Sequence, residues 1–393
     1  MIQITDKSQC CGCSACAQCC PKNCITMTYD KEGFLYPKVD ALKCINCHLC
    51  EKVCPIINQE SKRVPIGVYA VKNSNETIRM QSSSGGVFTM LAENILNDGG
   101  IVFGACWDDH WNVKHDYVES IEDLNKFQSS KYLQSIIGDT FQITERFLKS
   151  GRKVLYTGTP CQIAGLLHFL RKKYENLLTV EVTCHSVPSP GVWQKYLSEK
   201  LYSLKWNKSD LNKISFRDKK TGWKKYSFFI EHRNGNIFTE LGTKNDFMRG
   251  FLADLYTRPS CYACPAKELK SGSDLTLGDW WGIASIMPEI DDDKGISAVT
   301  ANTAKGADAL QAINAEMYAV AYDELTQRNP ALVKSAAIPK NREAFFKENG
   351  QTFQQKIKVL AKTPFSWRGV AYRIAYKVIP YDVRKKVKQM LKK

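Results

Sequence analysis

The sequence predicts an α/β (α+β) body with a mixed or parallel sheet, preceded by a small cysteine-rich domain. Three observations predict it. One cysteine run occurs twice within the first 55 residues, a strand–helix–strand pattern occupies residues 153–182, and residues 226–240 alternate around Asn234-Gly235 as a hairpin does. A chain of 393 residues with 44% hydrophobic and 11% aromatic content can bury a large core, and its length suggests two or three domains.

The first element is the cysteine run. Cys10, Cys13, Cys16 and Cys20-Pro21 spell C-x2-C-x2-C-x3-C-P, and Cys44, Cys47, Cys50 and Cys54-Pro55 spell it again. Two such runs are the ligand pattern of a bacterial two-cluster ferredoxin, in which the fourth cysteine of each run serves the other cluster. One 4Fe-4S cluster is expected on Cys10, Cys13, Cys16 and Cys54, the other on Cys44, Cys47, Cys50 and Cys20. The crossing would staple together a segment too short to carry much apolar core. Structural zinc favours two separated pairs over a triplet with a Cys-Pro. No signal-peptide pattern precedes Cys10, so disulfides are not expected and the cytoplasm is the expected compartment. Residues 1–58 are read as this ferredoxin-like domain, and residues 58–65 as a polar linker closed by Pro65.

The body follows, over 65–335. Val87, Phe88, Leu91 and Ile95 recur at helical spacing over 84–97, with Gly99-Gly100 as the stop, and 101–107 reads as a buried strand. A helix through Leu148 stops near Gly151. Residues 153–156 form a strand, Pro160 opens a helix through Tyr174, and 177–182 form a second strand. This βαβ unit requires parallel neighbouring strands whose carboxyl ends lie side by side, where ligands of such sheets sit. After the hairpin come helices over 246–256 and 304–315, a loop, and a helical basic tail over 336–393.

Four cysteines outside the ferredoxin-like domain can also be ligands. Cys161 follows the first strand of the βαβ unit at a helix N-terminus, Cys184 follows the second, and Cys261 and Cys264 are spaced C-x2-C. Thiolates gathered at a helix N-terminus suit a third cluster. By spacing alone, a zinc site or unpaired buried cysteines remain open. Cys11, Cys19, Cys24 and Cys106 are left as non-ligands. The Gln81-Ser-Ser-Ser-Gly-Gly86 stretch before the first body helix is either an anion-binding loop or a helix cap provided by Ser83 or Ser84. No GxGxxG is present, so dinucleotide binding has no Rossmann fingerprint to rest on.

The formal charge of +15 is not a nucleic-acid signal. Residues 361–393 hold ten Lys or Arg against Asp382 alone, so nine of the fifteen excess positive charges lie there. No nucleic acid is expected as a partner. No apolar run approaches the ~20 residues of a spanning helix. Phe365, Trp367, Val370, Tyr372, Ile374, Val378 and Ile379 interleave with Arg368, Arg373 and Lys377, a pattern that suits either peripheral contact with an anionic membrane surface or a helix docked on the body.

In this order along the chain, Gln81-SSSGG-Val87, Ser130-Lys-Tyr132, Gly158-TPCQIAG-Leu166, Tyr174-ENLLTVEVTCHSVPSP-Gly191, Arg258-PSCYAC-Pro265 and Asp274-LTLGDWWGI283 resemble the coenzyme F-420 hydrogenase/dehydrogenase beta-subunit family, with a ferredoxin domain fused in front. The resemblance implies a non-covalent FAD beside a 4Fe-4S cluster. It implies Cys161, Cys184, Cys261 and Cys264 as that cluster's ligands, and Ser83, Ser84, Gly85, Gly86, Ser130, Lys131, Tyr132 and Thr159 as flavin contacts. Ser186 stands where the family usually has glycine, and Trp280 where it has phenylalanine. The expected function is an iron–sulfur flavoprotein oxidoreductase linking a two-electron, hydride-type small molecule to one-electron carriers, with a redox partner protein. Ferredoxin, NAD(P)H and deazaflavin are the candidate redox couples. The alternative is an electron-transfer adaptor that feeds a separate catalytic protein. His185, beside Cys184, is a candidate acid, though a structural hydrogen bond suits it as well.

Overall fold

The computed structural model describes residues 1–361; the interleaved aromatic and basic stretch of the tail lies outside them. In the N-terminal domain two short helices, α1 (Ala15–Gln18) and α2 (Leu49–Lys52), flank an antiparallel pair, β1 (Ile25–Tyr29) and β2 (Leu35–Val39). The body begins with β3 (Gly67–Asn73), α3 (Glu76–Gln81), α4 (Val87–Asn97), β4 (Ile101–Trp107) and β5 (Val113–Val118). It continues through α5 (Thr140–Lys149), β6 (Val154–Gly158), α6 (Pro160–Leu170), β7 (Leu177–Val182) and α7 (Pro190–Leu204). A three-stranded antiparallel sheet follows, β8 (Leu211–Asp218), β9 (Ser227–His232) and β10 (Ile237–Leu241), then α8 (Asp246–Leu252). The last described elements are β11 (Leu275–Asp279), β12 (Ser297–Ala301), α9 (Ala304–Gln311), β13 (Ala315–Ala319), α10 (Tyr322–Arg328), α11 (Arg342–Phe346) and α12 (Phe353–Leu360).

The large sheet is mixed, in the order β13-β3-β12-β11-β7-β6-β4-β5. β4, β6, β7 and β11 run parallel; β5 and β12 are antiparallel to their neighbours β4 and β11. The register places Gly158 opposite Glu181, so β6 and β7 end side by side. Local chemistry starts the helix between them. Pro160 occupies the first turn, while the Thr159 side chain and Gln162 form a reciprocal capping box. That helix stops at Leu170 rather than near Tyr174, because Arg171 turns left-handed at φ 57°. The helices over 246–256 and 304–315 also end early, at Leu252 and Gln311, and 315–319 pairs with β3 as an edge strand.

One face of the sheet is covered by α4 and α9, through Val87, Leu91 and Leu310 against Val102, Leu155, Val180 and Val299. On the other face, Phe103, Phe141, Tyr156, Ile163 and Leu166 pack with Cys11, Cys13, Ala15 and Val53 of the N-terminal domain, so the two domains share one core. A separate aromatic core, Trp193, Tyr196, Phe216, Phe228, Phe247 and Tyr256, joins the small sheet to α7 and α8. Phe345, Phe353 and Ile357 belong to it, so α11 and α12 pack into the body.

Candidate redox centre

The two N-terminal loops have the same backbone. Gly12 and Ser14 have φ of 72° and 63°, and Asn46 and His48, at equivalent places in the second run, have 52° and 58°. Left-handed residues at these alternate positions curl each loop around a hollow. The first hollow is lined by Cys10, Cys11, Cys13, Cys16 and Cys54, with Ile2, Ile4, Met27 and Ile56 around them. The second is lined by Cys20, Cys24, Cys44, Cys47 and Cys50, with Ile25 and Val39. Each thus holds three cysteines of one run's motif and the fourth of the other's, with one further cysteine, Cys11 or Cys24, in its wall. Among the described residues no three Cys, His, Asp or Glu side chains stand as close as a single metal ion requires. The sulfurs are ranged around a cavity instead of meeting at a point.

The first hollow faces the body and the second faces outward. Cys13, Cys16 and Cys54 are buried, whereas Cys47 is exposed beside Leu42 and Ile45. Gly12 is required by the body contact: a Cβ there would stand 2.3 Å from Gln134 Nε2 and 3.0 Å from Arg258 Cζ. The fully buried Arg258 donates to the carbonyls of Cys10 (2.8 Å) and Leu35 (2.9 Å), to Gln134 Oε1 (2.8 Å) and to Cys10 Sγ (3.5 Å). A guanidinium beside a prospective thiolate offsets its charge.

In the body, Cys161 begins α6, Cys184 follows β7, and Cys261 and Cys264 lie on the turn after Arg258. Burial pushes the Cys184 thiol up to about 12, with Cys161 and Cys264 close enough to add to the effect. Burial also raises Cys261 well above the ordinary thiol range, and Cys184, Cys161 and Cys264 reinforce this. The structure therefore gathers all four. Thr159 lies 3.3 Å from Cys161 Sγ through its hydroxyl. Lys267 donates to the Cys184 carbonyl (2.6 Å) and so holds that loop. His185 pairs with Asp254 at 2.9 Å and stands edge-on to Phe251.

The serine–glycine loop meets the Ser130 segment. The Ser130 amide and hydroxyl both donate to Ser83 Oγ, at 2.6 and 2.8 Å. Neither Ser83 nor Ser84 caps α4; Gly86 does, at φ 85°, and no side chain caps the helix. Ser84 Oγ donates to the Ile296 carbonyl, and Ser297 Oγ accepts from the Gly85 amide. Lys131 is turned onto the carbonyls of Gln128 and Ser129, and burial pulls its pKa down to about 8. Tyr132 packs on Phe216 and Phe251. Two basic residues that the sequence did not single out converge on this region. Lys219 donates to the carbonyls of Arg79, Ser84 and Lys294, each at 2.8 Å. Arg217 is buried, pairs with Asp279, and lies against the rings of Trp223, Tyr226 and Trp281, yet its Nε and Nη2 have no partner. A buried donor without an acceptor is costly, and this places an unmet demand for an acceptor beside the loop.

Residues 151–325 match the family model for the C-terminal region of the coenzyme F-420 hydrogenase/dehydrogenase beta chain, and residues 9–56 match the 4Fe-4S dicluster domain. The coenzyme F-420-dependent sulfite reductase of Methanocaldococcus jannaschii is 30% identical over 169 residues, covering 42% of this chain and 26% of that protein. An uncharacterised protein of the same organism is 25% identical, covering 43% of this chain and 54% of its own length. The matches thus span about half or less of these curated relatives. Among solved structures, the F-420-reducing NiFe hydrogenase complex from Methanosarcina barkeri aligns with a TM-score of 0.47 at 16% identity, covering 69% of this chain and 90% of that one. Over the region that carries Cys161, Cys184, Cys261 and Cys264, the chain matches the coenzyme F-420 hydrogenase/dehydrogenase beta-subunit family, here joined to an N-terminal 4Fe-4S dicluster domain.

Proposed function

We propose that the chain is an iron–sulfur flavoprotein oxidoreductase in which three four-cysteine sites form a relay from the body to the outer face of the N-terminal domain. The observation that carries this reading is the succession of the three groups. Cys161, Cys184, Cys261 and Cys264 lie in the body, Cys10, Cys13, Cys16 and Cys54 at the domain boundary, and Cys20, Cys44, Cys47 and Cys50 outside it. In the N-terminal domain, thiols ranged around hollows suit 4Fe-4S cubanes better than zinc, and cubanes supply one-electron exchange. The domain limits, 1–58 for the ferredoxin-like part and 65–335 for the body, belong to the same reading.

FAD is assigned to the Ser83–Gly86 loop, the Ser130–Tyr132 segment and Thr159, where the unpartnered Nε and Nη2 of Arg217 fit a phosphate or ring oxygen. When bound, a flavin would supply the conversion between hydride and single electrons. The protein's part is to hold it: Ser83 and Ser130 are already joined, and Lys219 clamps the Ser84 carbonyl. A specific observation favours the adaptor reading as well. Ser84, Gly85 and Lys131 spend their polar groups on the protein itself, which leaves fewer of them for a flavin. The two readings share the relay and differ in the flavin.

Anaerobic reconstitution with iron, sulfide and FAD, followed by iron and flavin quantification after gel filtration, tests both. The oxidoreductase reading expects about one flavin per chain and the full iron complement, with one cluster's iron missing in Cys184→Ser. Full iron without retained flavin leaves the adaptor. Unchanged iron in Cys184→Ser removes the body cluster. The small-molecule substrate class and the partner then follow from which of ferredoxin, NAD(P)H or deazaflavin bleaches the bound flavin.

A further inference from the structure

Cys24 has no place among the twelve proposed ligands, yet it stands in the wall of the outer hollow, which five cysteines line where a cubane takes four. Its sulfur lies 3.3 Å from that of Cys20, the cysteine that the first run sends across to this site. The backbone fixes the pair. After Cys20-Pro21 the chain turns back at Asn23, whose φ is 48° and whose amide donates to the Cys20 carbonyl at 3.1 Å. β1 then leaves from Cys24, whose carbonyl accepts from the Asp40 amide at 2.8 Å. Cys24 is buried, while Cys20 is half-buried and so nearer to solvent. Cys19, also unassigned, lines neither hollow and gives its thiol to the Cys16 carbonyl at 3.4 Å.

We propose that Cys24 is a reserve ligand of the outer site, placed to take over the cluster corner held by Cys20. This rests on the reading of the outer hollow as a 4Fe-4S site. A zinc–thiolate bond is about 2.3 Å long and an iron–thiolate bond is of the same order. An iron bound by Cys20 is therefore within a short side-chain rotation of a sulfur 3.3 Å away from that ligand. The exchange breaks one iron–sulfur bond and forms another. The proton released by Cys24 goes to Cys20, and no electron is gained or lost. The outer site is also the one that solvent reaches, at Cys47, and a buried second sulfur keeps the corner iron bound when Cys20 lets go.

The test uses the full chain, reconstituted anaerobically, as wild type, Cys20→Ala, Cys24→Ala, the double variant Cys20→Ala with Cys24→Ala, and Cys47→Ala. Cys47 is the control: it is exposed and belongs to the outer site, and Cys24 pairs with Cys20 rather than with it. Iron content and the EPR spectrum of the reduced chain are the readouts. Cys20→Ala is expected to keep all its iron with an altered outer-cluster signal, and Cys24→Ala to match wild type in both. The double variant and Cys47→Ala should each lose about four irons, one cubane. If Cys20→Ala does not fold, Cys20→Ser replaces it in the single and double variants. Two results overturn the proposal. Loss of the outer iron from the single Cys20 variant shows that Cys24 does not bind, and full iron in the double variant with loss in Cys47→Ala makes some other group the substitute. Failure of the outer-cluster reading itself is seen separately, as wild-type iron in both the double variant and Cys47→Ala.

Discussion

At the scale of single residues, buried polar groups carry the chemistry that packing alone does not explain. His115 stacks on Tyr156 and bonds the Thr157 carbonyl through Nε2, while its Nδ1 is buried without a partner. Burial lowers its pKa from 6.5 to about 4. The unfolded chain therefore takes up a proton at this residue before the folded one does, and stability is lost as pH falls from about 6.5 to about 4. The loss from this residue is roughly 3 kcal/mol over that window. His115→Phe should keep the ring stack and flatten this part of the slope, as measured by denaturant midpoints at pH 7, 5.5 and 4.5. Arg217 is the second case. Arg217→Gln keeps the Trp223 and Trp281 pocket filled but withdraws the charged donors, and should weaken retained FAD on the order of tenfold or more. An unaltered flavin dissociation constant would return Arg217 to a purely structural role. Neither residue stands in a recognisable motif. Arg217 sits on a strand of a separate sheet, against the ring of Trp223, and only folding brings Trp223 and Lys219 to a loop more than 130 positions earlier.

Among the elements, α6 is the hinge of the arrangement. Its N-terminus presents Cys161, its middle touches Cys13 at Gly165, and its apolar face fills the shared core with Ile163 and Leu166. The βαβ pattern was legible because its signals are local: buried strands of five and six residues, a proline start and a capping pair. From that pattern the proximity of Cys161 and Cys184 followed before any coordinates. Less of the rest was legible. β5 and β13 carry polar residues at sheet edges, and β11 and β12 are short strands whose pairing partners are distant in sequence. Gly165→Val would drive a side chain into Cys13, at a cost of about 1–3 kcal/mol from overpacking. The expected outcome is loss of iron from the boundary site with the outer site retained, read by EPR of the reconstituted variant.

For the molecule as a whole, the two domains behave as one body. Arg258 reaches into the N-terminal loops, Arg342 pairs with Glu32, and Gln18 accepts the Phe141 amide. Under the proposed function, the relay therefore has a defined inside and outside. Only the outer hollow has an exposed ligand candidate, Cys47, with Leu42 99% exposed next to the same loop. Under the proposed function a one-electron carrier meets the chain there. Leu42→Glu with Ile45→Glu should slow reduction of an external carrier protein several-fold while iron content and flavin retention stay as in wild type. Stopped-flow reduction checks it, and an unchanged rate would move the contact elsewhere. Among the described residues no helix is long and apolar enough to cross a membrane.

By itself the sequence determined the two-cluster cysteine pattern of the N-terminal domain, because cluster-binding loops need sulfurs at short, regular intervals. It also determined the parallel βαβ unit, because right-handed crossover geometry leaves the strand ends no other place. Tertiary structure alone decided which hollow faces the body, that Arg258 reaches the Cys10 loop, and that Lys219 and Trp223 bond the serine–glycine loop. Those placements depend on contacts between residues more than 100 positions apart, set by the packing of whole sheets and domains, and no local periodicity encodes them.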